Sequence, residues 1–300
     1  MIRKLVVRID DVGYTPVNNM GAFEVFDHGV GTAADVMLDT PGTVDALERL
    51  RDYPWISVGW HTHFWGSPVL EADRVKSLVD PARGHFRADI LTADDLDAEE
   101  LRAEMRAQLE RCIRVLGRAP ETSQAMGPET KFSRIKAEIC REYGIVTDFA
   151  FDVRGPADAP EYVPPADRWR EKGIYWMSPG PAYADLFGDS IAEAGRYDPV
   201  KYYTEDRGGM ELLPEGAIAG QAWHPGWVDY YMCREGDRGP NARKFLECRP
   251  IDAHALCSEK LKGWIRENRI ELMSFRDALY GTREVQEHLR SIGSDLYVGE

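Results

Sequence analysis

Three short clusters carry the side chains that hydrolytic chemistry needs. Asp10 and Asp11 are adjacent carboxylates that close the apolar run LVVRIDD. At an α/β active-site face such a pair suits a division of labour. One carboxylate holds a divalent metal while the other takes a proton from water. A surface pair capping the following helix is the plainer alternative. His61-Thr62-His63 ends a second run. Residues i and i+2 of a strand share a face, so the two imidazoles could meet at one ion, with Asp11 completing the set from a neighbouring strand. Otherwise one is a buried, hydrogen-bonded histidine and the other is exposed. His224 stands before Pro225-Gly226 at the end of a third run. That place suits a general acid, a residue that orients one, or a turn histidine without a role. Trp223, Trp227 and Tyr230 beside it are either sugar-stacking walls or plain core. The chain has no GxGxxG, phosphate-cradling loop or GxSxG elbow, which disfavours nucleotide chemistry and serine hydrolysis.

These clusters can cooperate only if parallel strands bring their ends together. The hydropathy pattern predicts a strand over 5–9, a helix over 17–28 stopped by Gly29, a strand over 33–38, a helix over 44–51 and a strand over 57–62. This βαβαβ rhythm implies crossover helices and a parallel sheet. The clearest helix runs from Asp97 to Leu116. Asp97 is its expected N-cap and Glu100 the capping-box partner, and Gly117 closes it. Leu101, Met105, Leu109, Cys112, Ile113 and Leu116 follow helical spacing. Further expected elements are a helix over 133–142, a strand over 145–147, a strand over 217–223, a helix over 252–268 and a strand over 271–274. Between about 152 and 214 prolines and aromatics crowd together. This reads as an irregular insertion, either a substrate wall or a structural excursion. With no repeat or linker in view, 1–300 is read as a single domain.

The charge balance narrows the partners. Thirty-seven basic and 51 acidic residues leave a net −14, which disfavours nucleic acid and anionic membrane and is compatible with a neutral sugar. The five cysteines are odd in number and form no CxxC pair. A disulfide scaffold or thiolate zinc site is therefore not expected, and reduced thiols fit a cytoplasmic location. The apolar run near the start is too short for a secretory leader, and no stretch reaches the ~20 residues of a membrane span. A homodimer is possible.

The stretch Ile9-Asp10-Asp11-Val12-Gly13-Tyr14-Thr15-Pro16 resembles the start of the YdjC-like carbohydrate deacetylases. So do Gly29-Val30-Gly31-Thr32-Ala33, Val58-Gly59-Trp60-His61, Ser77-Leu78-Val79-Asp80, His224-Pro225-Gly226-Trp227-Val228-Asp229 and Glu271-Leu272-Met273-Ser274-Phe275-Arg276, in order along most of the chain. The resemblance implies an α/β fold, a distorted TIM-like (β/α) barrel of parallel strands with outer helices. It implies a divalent metal ion, Mg or Zn, and removal of an N-acetyl group from a small acetylated carbohydrate. It makes Asp10 the general base and Asp11 and His61 metal ligands. It places His224 in the active site, as a group that protonates the leaving amine. Tyr14, Trp65 and Trp227 are the expected substrate-binding residues.

One departure stands out. The family carries a histidine-rich segment after its long helix, with the third metal ligand in it. Here that segment reads Ala119-Pro120-Glu121-Thr122-Ser123-Gln124-Ala125-Met126-Gly127. Gln124 stands for an aspartate and Met126 for the ligand, and a thioether is a poor ligand for a hard divalent ion. His63 is expected to stand in for it. Two rival readings follow from the same departure: a catalytically silent barrel that binds glycans or regulates, and a hydrolase of another acylated small molecule.

Overall fold

The computed structural model of the chain describes residues 3–124, 130–148, 173–177, 182, 186, 196–237, 239 and 241–299. Strands β1 (Arg3–Val12), β2 (Ala33–Met37), β3 (Ser57–His61), β6 (Thr122–Gln124), β7 (Val146–Asp148), β8 (Ile174–Trp176), β9 (Ile218–Trp223) and β10 (Ile270–Leu272) form one sheet; β4 (Val79–Asp80) and β5 (His85–Phe86) form a small separate hairpin. The sheet order is β7-β6-β3-β2-β1-β9-β8, with β10 against the first residues of β1, and every pairing in it is parallel. The sheet curls into a distorted TIM-like barrel with helices outside it, as parallel strands with crossover helices require.

Alternation along β1 separates two cores. Leu5, Val7 and Ile9 point outward into the large cluster beneath the helices. Val6 points inward, with Ala33, Ile174, Trp176, Ile218 and Phe275. Arg8 and Asp10 share the inward face by the period of two. The polar residues of the interior therefore sit above an apolar floor, toward the strand C-termini, where α/β barrels place their sites.

The helices are α1 (Pro16–His28), α2 (Thr43–Leu50), α3 (Ala98–Leu116), α4 (Lys131–Glu142), α5 (Pro199–Thr204), α6 (Tyr230–Arg234), α7 (Ala242–Leu256), α8 (Glu259–Glu267), α9 (Phe275–Tyr280) and α10 (Glu284–Ser291). Asp97 does cap α3, accepting from the amides of Glu99 and Glu100, and Gly117 closes it in the left-handed region. Glu100 is not the reciprocal partner, because its carboxylate accepts from the amide of Ser77 instead. The single helix expected over 252–268 is two. α7 ends at Leu256, and Ser258 caps α8 by accepting from the amide of Leu261. A serine hydroxyl offers the backbone an alternative to continuing the helix. Within the irregular stretch over 152–214, β8 pairs with β9 and α5 packs outside the sheet. Cys112 and Cys140 are buried, and burial raises both thiol pKa values.

The loop after β3 is anchored from β2. Asp39 Oδ2 accepts from the Gly66 amide at 2.7 Å, and the Asp39 carbonyl accepts from the Ser67 amide at 3.0 Å. Gly66 must lack a side chain, since a Cβ there would lie 1.9 Å from the Asp39 carbonyl oxygen. Burial, with Glu104 nearby, pushes the Asp39 carboxyl up to about 7. A carboxyl raised in the fold contributes stability below its unfolded range near ~4, and that stability is lost as pH rises through the folded value. Asp39 is therefore expected to contribute a loss of several degrees of melting temperature between pH 5 and pH 8. Asp39→Asn, which keeps an acceptor for Gly66, should lose less over the same range. Thermal melts of the two proteins at both pH values check this; parallel losses would count against an Asp39 contribution.

Candidate active site

Adjacent strand residues point to opposite faces, so Asp10 and Asp11 cannot both enter the barrel from a regular strand. A bulge solves this. The register of β1 against β2 slips between Ile9 and Val12, where three steps on β1 match two on β2. Asp11 adopts a left-handed backbone, φ 59°. Aspartate is one of the few side chains that tolerates this conformation. Its carbonyl accepts from the Tyr14 amide at 3.1 Å and from Asn18 Nδ2 at 3.0 Å. Arg249 of α7 reaches in from outside the sheet and places Nη2 2.5 Å from Asp11 Oδ2. The same guanidinium donates to Asn18 Oδ1 at 3.3 Å.

The free side of Asp11 faces two imidazoles. Its Oδ1 lies 3.0 Å from His61 Nε2 and 3.6 Å from His63 Nε2, and the two nitrogens are 2.7 Å apart. β3 stops at His61, so this meeting owes nothing to strand alternation. Instead the chain turns, with Phe64 in the left-handed region at φ 57°, and folds His63 back. Trp65 stacks on the His63 ring at 4.1 Å and 14° and fixes its plane. Asp11 Oδ1 is buried with no donor aimed at it.

Asp10 stands beside this triad. Arg8 Nε donates to its Oδ1 at 2.6 Å and Arg8 Nη2 to its Oδ2 at 3.0 Å, a bidentate pairing. Asp10 Oδ2 is also 4.0 Å from both His61 Nε2 and His224 Nε2. His224 is set by Asp252 of α7, whose Oδ2 accepts from its backbone amide at 2.8 Å. Asp10, Asp11, His61, His63 and His224 thus share one polar pocket at the top of the barrel.

Charge orders it. Burial works to raise the Asp11 carboxyl, but Arg249 and His61 hold it well below the usual carboxylate range. Burial alone would lower His61; the Asp10 charge and the Asp11 and Asp35 carboxylates beside the ring outweigh it and raise the imidazole to about 10. Burial and the charge on His61 push His63 the other way, below its ordinary value. The two shifts oppose each other because the rings meet at 2.7 Å, where a charge on one disfavours a charge on the other. Burial also pushes His224 down.

The expected substrate residues differ in kind. Tyr14 is buried, its hydroxyl accepts from the Asp237 amide at 2.6 Å, and its ring backs Trp65 at 5.4 Å. Trp65 is partly exposed over the pocket. Trp227 is 37 % exposed in the turn after β9, and Tyr230 is 74 % exposed. Trp223 is core: its indole donates to Tyr203 and its ring packs against Tyr202 and Tyr203 outside the sheet. Gln124 ends β6, with its carbonyl accepting from the buried Lys136; Met126 lies outside the described residues. Sequence reasoning missed Arg8, Asp35 and Arg249. The signal available for the first two was a lone charge inside an otherwise apolar strand; for Arg249 no local signal exists.

The chain has relatives among known proteins along nearly its whole length. A carbohydrate deacetylase of Listeria monocytogenes is 21% identical over 279 residues, covering 91% of this chain and 99% of that protein. A carbohydrate deacetylase of Mus musculus is 26% identical over 309 residues, covering 91% of this chain and 94% of its own. A solved structure from Enterococcus faecalis, of a protein given a provisional role in cellobiose-phosphate cleavage, superposes with a TM-score of 0.64 at 21% identity, covering 92% of this chain and 99% of that one. The model of the YdjC-like proteins matches residues 4–267, and the chain belongs to that family.

Proposed function

We propose that the chain is a divalent-metal amide hydrolase that removes the N-acetyl group from a small acetylated sugar. The observation that carries this reading is the meeting of Asp11 Oδ1, His61 Nε2 and His63 Nε2 within 3.6 Å of one another. Ligand atoms about 2.0–2.1 Å from one tetrahedral ion lie about 3.3 Å apart, so the spacing fits. The buried, undonated Asp11 Oδ1 fits as well, because a cation would satisfy it. Two imidazoles and one carboxylate suit zinc better than magnesium, which takes oxygen ligands. His63 here supplies the ligand that Met126 does not.

A bound ion in such a site polarises the acetyl carbonyl and lowers the pKa of water. The other work falls to the chain. Asp10, held in place by Arg8, takes the proton from the attacking water. His224, 4.0 Å from Asp10, passes a proton to the leaving amine as the C–N bond breaks. Trp65, backed by Tyr14, and Trp227 form apolar walls for the sugar. The curated relatives named carbohydrate deacetylases support the substrate class. The unpaired cysteines suit the cytoplasm, and no helix among the described residues is long and apolar enough to cross a membrane.

One observation favours a second reading, a silent barrel that binds glycans: both oxygens of Asp10 already accept from Arg8. Turnover decides between the two. Metal-loaded protein incubated with N-acetylated mono- and disaccharides should release acetate. A panel with no release from metal-loaded protein would favour the silent barrel, and release only from O-acetylated or other acylated compounds would redirect the substrate class.

Two pairs of variants test the roles. Asp10→Asn should lower turnover by about 10²–10⁴-fold while keeping the ion, as loss of a general base does. Asp11→Asn should lose both. Equal metal loss in the two would refute the split. His63→Ala should weaken metal binding as severely as His61→Ala, measured by competition with a chromophoric chelator. Full metal occupancy in His63→Ala would sink the stand-in assignment.

A further inference from the structure

Below the triad lies a charged layer that the reaction as drawn does not use. Asp35 is on β2, wholly buried and on the inward face. Its neighbour across the β2–β3 ladder is Gly59, one inward position below His61. Neither Asp35 oxygen meets a hydrogen bond of good geometry. Yet Oδ2 lies 3.5 Å from His61 Nδ1 and 3.5 Å from Arg8 Nη1. His61 Nδ1 is likewise buried without a partner. Arg8 joins Asp35 to Asp10 and lies over the Trp176 ring at 4.7 Å, which closes the layer from below.

Two features set this layer apart from an accident of packing. First, a buried carboxylate beside a buried guanidinium is poor value as a stabiliser, since desolvation offsets most of the attraction. Second, the barrel makes room for it. A Cβ on Gly59 would sit 1.9 Å from Asp35 Oδ1 and 2.8 Å from Thr122 Oγ1. Gly59 has an ordinary backbone, so its missing side chain serves space and not conformation.

A histidine that binds a metal through one ring nitrogen usually donates its other N–H to a carboxylate or carbonyl, which fixes the tautomer and the ring plane. His61 turns Nε2 toward Asp11 and His63, so Nδ1 must find the acceptor. Asp35 is the carboxylate facing it, and a closing movement of about 0.5 Å makes a hydrogen bond of ordinary length.

We propose that Asp35 is a positioning residue that accepts the His61 Nδ1–H and so presents Nε2 to the ion, with Arg8 tying Asp35 and the base Asp10 into one rigid unit. This rests on the reading of Asp11, His61 and His63 as metal ligands. Gly59 is the spacer that admits Asp35 to this position.

The test reads metal binding and ligand state apart from turnover. Chelator-stripped protein is titrated with Co²⁺, following the visible spectrum, and with Zn²⁺ in competition with a chelator. Asp35→Asn should bind about 10–100-fold more weakly, as loss of such partners does elsewhere, with an altered Co²⁺ band. Gly59→Ala keeps every charge but displaces Asp35, and should shift affinity and spectrum in the same direction. Affinity within twofold of native and an unchanged spectrum in both variants would overturn the proposal. A measurement on the native protein covers the case in which the variants do not fold. In ¹⁵N-labelled, Zn²⁺-loaded protein, His61 should carry its proton on Nδ1 and exchange it slowly with water. A proton on Nε2, or fast exchange at Nδ1, would likewise overturn it. Native protein that takes up neither ion overturns the metal reading itself and this proposal with it, an outcome distinct from native uptake that Asp35 and Gly59 do not influence.

Discussion

The site depends on one irregularity, the bulge that turns Asp11 into the barrel beside Asp10. A left-handed backbone costs an ordinary residue about 1–2 kcal/mol, and aspartate somewhat less. The surroundings hold it there. Asn18 secures the Asp11 carbonyl and Arg249 secures its carboxylate, so backbone and side chain are fixed from the same direction. That grip requires α1 and the turn after β9 to lie almost in contact. A Cβ on Gly226 would fall 2.0 Å from Asn18 Oδ1, and one on Gly21 would fall 2.7 Å from the Gly226 backbone. The Pro225-Gly226 turn that follows His224 therefore has a second task, which is to let the helix carrying Asn18 approach the bulge.

The same interior shows why so many charges can be buried together. Two guanidiniums, Arg8 and Arg249, alternate with the carboxylates of Asp10, Asp11 and Asp35. An isolated buried charge would neutralise itself by a shift in pKa. Here oppositely charged neighbours offset the cost of burial for Asp11, Asp35 and Arg249. Such an arrangement is better explained by what it presents than by stability, since buried ion pairs often add little net free energy. It leaves Asp11 with one engaged oxygen and one that is not, both aimed by the partners around them.

Much of this was legible in the sequence. The alternation of strand and helix, the strand ends carrying Asp10-Asp11, His61 and His224, and the cap at Asp97 all follow from local patterns, and local patterns are what a sequence displays. The misreadings have physical causes. Glu100 had a stronger use elsewhere, at the Ser77 amide. The break between α7 and α8 depends on one serine hydroxyl and leaves the helical period nearly intact. Trp223 was no misreading: wall and core were both open for it, and alternation turns it outward into the core against Tyr202 and Tyr203. The partners of the site were hidden for another reason. Arg249 is 238 positions from the carboxylate it holds, and no periodicity encodes such a distance. Asp35 and Arg8 were visible only as charges inside apolar strands, a pattern that asks for a buried partner without naming it.

The place of His63 follows from how loops differ from strands. A residue inside a strand is positioned by the sheet ladder, whereas one beyond β3 must be positioned by its own loop. This loop has the means. Phe64 takes the left-handed turn and packs on Phe86 and Phe132. Trp65 lies flat on the imidazole. Gly66 ties the segment on both sides, its amide to Asp39 and its carbonyl to the amide of Phe86. Each residue after His63 is thus fixed by a different contact, and precision that a strand obtains from its neighbours is rebuilt here from side chains. The short distance between the two Nε2 atoms is the product of these contacts.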